Sequence, residues 1–484
     1  MAATRLTNLR TPGVYIEEIP VFPPSVAQVA TAIPVFIGYT QFAVDEQGNN
    51  IARTATAPAK AKRITSMPEY FQFFGGPNPE PAGSLSVEFR DGQFFGRVNE
   101  TARSAFLMYY AVQWFYLNGG GACWIVSVGD YVASGGVIDP NALALDPLNN
   151  GLNVTDEVDE ITLFVFPDAI NVSSAANYYS IYEEAMDKCV MLGDRFVIMD
   201  VWIDKANPAT NNITEFRNQV DSDPRLKYAA AYYPAMETNL DFAFTTTPSG
   251  TVGEANVAVT GFAGAATLED LRTTNNNKAY NQAKQALRDI PMIMPPSPAI
   301  AGIYARVDEL RGVWKAPANV ALDMVLKPTI KITDAMQATL NVDENAGKSI
   351  NCIRFFTGKG NLVWGARTLT GNDLEWRYVS VRRYFNMVEE SVKKATEGFV
   401  FEPNDRNTWT RVKAMIENFL TGQWGAGALQ GKVPEHAFYV KVGLGSTMTA
   451  LDILEGRMIV EIGLAVVRPA EFIILQFMHK MAES

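Results

Sequence analysis

The chain reads as a multidomain α/β and α+β protein. A central α/β layer is joined to a second, α+β part, and extended arms lie at both ends. Three observations predict this. Between residues 160 and 240, near-continuous apolar stretches alternate with amphipathic ones, the pattern of a mainly parallel sheet covered by helices. After about residue 345 the pattern changes to a hairpin and strongly amphipathic helices. Both ends carry β-type segments rich in branched and aromatic residues beside Pro or Gly: Thr11–Ile19 and Ile459–Phe477.

Each element follows from local chemistry. Pro12, Pro20, Pro23 and Pro24 exclude a helix through most of residues 1–25, which read as an arm. Ala32–Tyr39 reads as a buried strand. Residues 45–100 are rich in Gly, Pro and polar residues and read as a surface insertion. Thr101–Asn118 has aromatic residues at helical spacing, and Gly119–Gly121 stops it before the strand Cys123–Val128. Ile161–Phe166, Arg195–Val201 and Lys227–Tyr233 are strands, with Ala175–Leu192 as an amphipathic helix between the first two. Ile350–Phe356 and Leu362–Arg367 form a hairpin closed by Thr357–Gly360. Val381, Tyr384, Phe385, Val388 and Val392 mark one helix. Trp409, Val412, Ile416 and Phe419 mark another, with Asn407 as its cap.

Composition narrows the function. The 484 residues are 48% hydrophobic and 19% charged, an ordinary globular balance. A net charge of −11 argues against nucleic-acid binding, which needs a basic face. Residues 1–349 carry 25 Lys+Arg against 38 Asp+Glu, and residues 350–484 carry 16 against 14. The C-terminal third is therefore the part suited to an acidic partner. Cys123, Cys189 and Cys352 are far apart in apolar settings, without disulfide or zinc spacing. Met1–Arg10 is polar with no apolar core, so no export signal is expected there. The run Ala105–Leu117 is too short to span a bilayer, so no direct membrane insertion is expected.

The search for catalytic chemistry finds little. His436 and His479 are the two histidines, and neither has a partner at metal-ligand or triad spacing. Ala346-Gly-Lys-Ser349 ends like a phosphate-binding loop, but Val342 stands where that loop needs glycine. Asp168, Asp194 and Asp200 lie near strand ends, where α/β active sites occur, but Asp194-Arg195 reads as a structural ion pair. No catalytic, cofactor-binding or metal residue is assigned. Terminal strands outside a compact core are edges that invite pairing with another chain. With one at each end, strand addition between copies is the economical reading.

The motifs resemble a known family from end to end. They are Pro12-Gly-Val-Tyr-Ile-Glu-Glu18, Thr31–Gly38, Asn118–Gly121, Asp194-Arg-Phe196, Tyr228–Pro234, Val381-Arg-Arg383, Phe401-Glu-Pro-Asn404, Ala437–Val440 and Gly463–Phe472. Together, in this order, they resemble the tail sheath proteins of contractile bacteriophages and phage-tail-like injection particles.

The resemblance implies a helical homopolymer, or one shared with sheath paralogues, that surrounds an inner tube protein. It contracts on a baseplate signal and drives the tube through a target envelope. Baseplate and terminator or cap proteins are further implied partners, with no enzymatic activity and no nucleotide. Assembly in the bacterial cytoplasm, followed by a place in a phage tail or a released particle, is the implied location. A subtilisin-like but non-catalytic central fold is implied.

The expected organisation is an arm at 1–25 and an inner part at 26–128. An outer α/β domain covers 129–344, an inner C-terminal domain 345–458, and terminal strands 459–484. Strand exchange is expected at Gly13, Val14, Tyr15, Ile16, Glu17 and Glu18. At the other end it is expected at Ile459, Val460, Ile462, Leu464, Val466, Phe472, Ile473, Ile474, Leu475 and Phe477, with donor and recipient left open and Arg468-Pro469 as the bend. Arg411 and Lys413 are the expected contacts to the inner tube. The alternatives are a hydrolase-like α/β enzyme and a non-contractile shell protein or adhesin.

Overall fold

A computed structural model describes residues 26–203, 212–244, 253–274, 276–345 and 347–476. The described chain forms two compact units. One holds 26–27 with 391–465, and the other holds 28–390 with 466 onward. Among the described residues no helix is long and apolar enough to cross a membrane.

The larger unit is organised by a nine-stranded sheet. Its strands are β1 (Pro34–Thr40), β2 (Lys62–Ile64), β3 (Cys123–Asp130), β4 (Leu163–Val165), β5 (Phe196–Asp200), β6 (Ala229–Tyr233), β7 (Val320–Ala321), β8 (Ile350–Phe356) and β9 (Gly360–Val363). They lie in the order β7-β9-β8-β6-β5-β4-β1-β3-β2. The central run from β8 to β3 is parallel, and the outer strands β2, β9 and β7 are antiparallel.

The strands are apolar on both faces because both faces are covered. Phe36, Phe196 and Ile198 enter one core, with residues of α1 (Met108–Leu117) and α3 (Ser297–Arg311). Val35, Ile37, Val197 and Met199 enter the other, with residues of α2 (Ala175–Leu192). Side-chain alternation along each strand thus feeds two layers.

Several expectations need correction. Residues 45–100 are not an irregular insertion. They supply β2, a helix at Met67–Phe74 and the hairpin Leu85–Arg90 and Gln93–Val98, and they bury Tyr70, Phe74, Leu85 and Val87. Short strands separated by polar turns hide their periodicity. The expected divisions at 128 and 344 cut through one sheet, because β1 from the first part pairs with β4, β8 from beyond 345 pairs with β6, and β9 pairs with β7. Sheet neighbours need not be chain neighbours. The compact units divide instead near 390, inside helix α4 (Val379–Thr396).

Helix α1 begins at Met108 rather than Thr101. The Leu107 and Met108 N–H groups donate to Asp168 at 2.6 and 3.1 Å, so a carboxylate 60 residues away sets the helix start.

Candidate functional site

The smaller unit is built around α5 (Arg406–Gly425) and a two-stranded antiparallel ribbon, β10 (Phe438–Val442) with β11 (Val460–Leu464). Asp405, not Asn407, caps α5, accepting from Thr408 N at 3.0 Å. Val412, Met415, Ile416 and Leu420 form its buried face. Val440 of β10 is buried with them, and β10 packs on α5.

The ribbon's register pairs Val440 with Ile462, Val442 with Val460 and Phe438 with Leu464. Val460, Ile462 and Leu464 therefore share the face on which Val440 is buried. Glu461 is on the other face, where it accepts from Tyr439 Oη at 2.7 Å and from Lys441 Nζ at 3.3 Å. Those bonds hold its carboxyl below the usual range. Gly463 lies opposite Tyr439, and a Cβ at 463 would overlap that ring. The loop after β10 contains the short helix α6 (Ala450–Leu454), with a reciprocal Thr449–Asp452 cap. The ribbon is closed at one end by Ala465 N to Ala437 O, 2.8 Å, and Gln430 N to Ala465 O, 2.7 Å.

Among the described residues neither ribbon strand has a second neighbour, so both outer edges present unpaired backbone groups. Ile459 flanks β11 and is 41% exposed.

Val466 is buried, and from there to Leu475 the chain forms no strand. Phe472, Ile473, Ile474 and Leu475 are 71–82% exposed, an unusual run of bare apolar residues. Immediately before them Glu471 is held fast. Its carboxylate accepts from Arg367 Nε at 3.0 Å and Nη2 at 2.7 Å, from Asn341 Nδ2 at 2.7 Å and from Tyr378 Oη at 3.1 Å. Burial works against the charge, but these donors outweigh it and keep the carboxyl below the usual range. Sequence reasoning gives neither Arg367 nor Glu471 a role of its own. They are 104 residues apart, and no spacing rule connects them.

Gly13, Val14, Tyr15, Ile16, Glu17, Glu18 and Phe477 lie outside the described residues. Arg411 and Lys413 are exposed on α5. Arg411 lies 3.8 Å from Glu402 and over the Phe399 ring, and Lys413 lies 3.7 Å from Glu417.

The candidates for chemistry have structural employment. Asp168 lies just past β4, beside β1, where the sheet order reverses and α/β enzymes bind ligands. That position is filled by the chain itself: Asp168 also accepts from Tyr39 N at 2.7 Å. Asp200 accepts from Ser297 N at 2.9 Å and Ser297 Oγ at 2.5 Å, at the start of α3. Burial pushes both carboxyls up to about 7. Asp159, Asp194 and Glu390 bring carboxylate oxygens within 4.8 Å of one another, and Arg195 stands 3.4 Å from Asp194 as counter-charge. Lys348 of the phosphate-loop-like segment is buried and donates to the Arg217 carbonyl at 2.7 Å and to the Val220 carbonyl.

Residues 372–479 match the model of the phage tail sheath C-terminal domain. The sheath of an extracellular contractile injection system, PVC, in its contracted state is 32% identical. It covers 98% of this chain and 99% of that one, with a TM-score of 0.63. The contracted helical sheath of the anti-feeding prophage is 30% identical over 97% of this chain and 99% of that one, TM-score 0.62. The tail sheath protein of Enterobacteria phage T4 is 25% identical over 155 residues, 32% of this chain but 23% of that protein. The chain belongs to the contractile tail sheath family.

Proposed function

We propose that the chain is the structural subunit of a helical sheath that surrounds an inner tube and contracts to drive the tube through a target envelope. The observation that carries this reading is the ribbon β10–β11. Among the described residues it has two open edges, and we assign the two terminal segments to fill one each on a neighbouring copy. In this assignment β11, with Val460, Ile462 and Leu464, belongs to the recipient. Phe472–Leu475 and the N-terminal Gly13–Glu18 are donors. The side chains of Val460, Ile462 and Leu464 serve the unit's own core, and the backbone edge receives the partner. Main-chain bonds tolerate rotation of the bodies they join, so such a mesh survives rearrangement.

Baseplate and cap proteins are the further partners, and the solved structures of relatives include an anti-feeding prophage baseplate. Arg411 and Lys413 are assigned to the inner tube. Their acidic neighbours Glu402 and Glu417 are exposed and yield easily to a stronger acidic surface. The parallel α/β layer is assigned a subtilisin-like, non-catalytic fold, supported by the structural use of Asp168 and Asp200. Assembly takes place in the bacterial cytoplasm, and the product is part of a tail or a released particle.

Negative-stain electron microscopy of the purified chain tests this. Hollow striated tubes are expected from the full chain and are lost when residues 1–19 are deleted. Discrete monomers from the intact, folded chain would overturn the reading and favour the hydrolase-like alternative.

A further inference from the structure

The terminal segment from Val467 to Gln476 has no regular secondary structure, yet one of its side chains is tied down by two charge-assisted bonds from Arg367 and by Asn341 and Tyr378. Arg367 is itself locked: its side chain is 4% exposed, its Nη1 donates to the carbonyls of Asn341 and Gly371, and its backbone N–H donates to Asn351 Oδ1. Bidentate Arg–carboxylate pairing fixes direction as well as position. The four residues that follow Glu471 are bare and apolar.

We propose that the Arg367–Glu471 pair is the pin from which the C-terminal arm is launched, so that the segment offered to a second copy of this chain begins at Phe472. This inference rests on the strand-donation reading above. The bend at Arg468-Pro469 lies on the body side of the pin and takes no part in the reach of the arm. Glu471 is thus a positioning residue. It sets the register and direction of the donated strand, and it passes the neighbour's pull into the sheet through Asn351 beside β6.

The physical reason for a pin is effective concentration. A donated strand binds its acceptor more tightly when its root is fixed at the right distance than when it hangs from a longer tether. Without the pin the free length of arm grows by the residues back to buried Val466.

Four variants of the full chain test this, read by the critical concentration for tube formation and by the melting temperature of the dispersed chain. Glu471→Ala raises the critical concentration about tenfold or more. Gly-Ser-Gly inserted between Glu471 and Phe472 does the same while leaving every pin residue in place. The same insertion between Val467 and Arg468 leaves assembly unchanged, because the extra length loops out behind the pin. Truncation after Glu471 abolishes tubes. Equal effects of the two insertions, or normal assembly of Glu471→Ala with the truncation still inactive, would overturn the pin alone. Normal tubes from the truncated chain would overturn strand donation by this arm. The melting temperature separates a lost pin from a damaged fold, since both insertions leave the Arg367 site intact.

Discussion

The carboxylate of Asp168 stands where a side chain at Gly38 would begin: a Cβ on residue 38 would overlap Asp168 Oδ2. The same carboxylate ties the end of β1 to the start of α1. Gly38→Ala must therefore displace a buried group that carries three N–H bonds. A loss of about 1–3 kcal/mol is expected from overpacking alone, measured by denaturant unfolding of the dispersed chain.

Asp168 and Asp200 separate under the same change to Asn. Asp168 accepts N–H bonds on both oxygens, so an amide must point a donor at a donor. Asp168→Asn destabilises most above about pH 7, where the native carboxyl is ionised and accepts on both oxygens. Asp200 faces the N–H and the hydroxyl of Ser297, and a hydroxyl accepts as readily as it donates. Asp200→Asn is tolerated.

It also changes the pH profile. Burial pushes the Asp200 carboxyl up to about 7, partly offset by Ser297. A folded pKa above the unfolded value of about 4 stabilises the fold when the group is protonated. That contribution is complete below about pH 4 and is lost as pH rises through 7. The contribution of Asp200 thus declines across this window, and Asp200→Asn removes it, so the variant gains stability relative to wild type as pH rises from about 4 to about 7. An unchanged slope in urea titrations at pH 4.5 and 7.5 would count against the assignment.

Arg383 and Asp308 form a buried pair at 2.5 Å, with side chains 3% and 6% exposed. Arg383 also donates to the Thr31 carbonyl at 2.7 Å. Arg383→Met leaves the carboxylate with the Thr31 hydroxyl at 2.6 Å and no counter-charge. A loss of about 3–5 kcal/mol is expected, and adding Asp308→Leu recovers most of it. Thermal melts of the single and double variants check both statements.

Phe401 is fully exposed and has φ +70°, a left-handed conformation costly for a bulky residue. Phe401→Gly leaves stability unchanged or raises it by up to about 1 kcal/mol, as relieved strain competes with added chain entropy. Phe401→Val lowers it. The order Gly, Phe, Val in melting temperature is the check.

The sequence by itself determined the layers and the class. Segments such as Phe196–Asp200 are apolar at nearly every position, which a strand covered on both faces explains. The β character of Val460–Leu464 and the apolar run Phe472–Leu475 were equally plain, because local composition carries them. Tertiary structure decided which of these segments pairs within the chain and which stays exposed. It also decided that the sheet runs across the expected boundary at 344, that α1 starts at Met108, and that Glu471 meets Arg367. Each of these depends on groups tens to hundreds of residues apart. Hydrophobic periodicity records whether a residue is buried, whereas a hydrogen bond or ion pair between distant residues leaves no periodic trace in either partner.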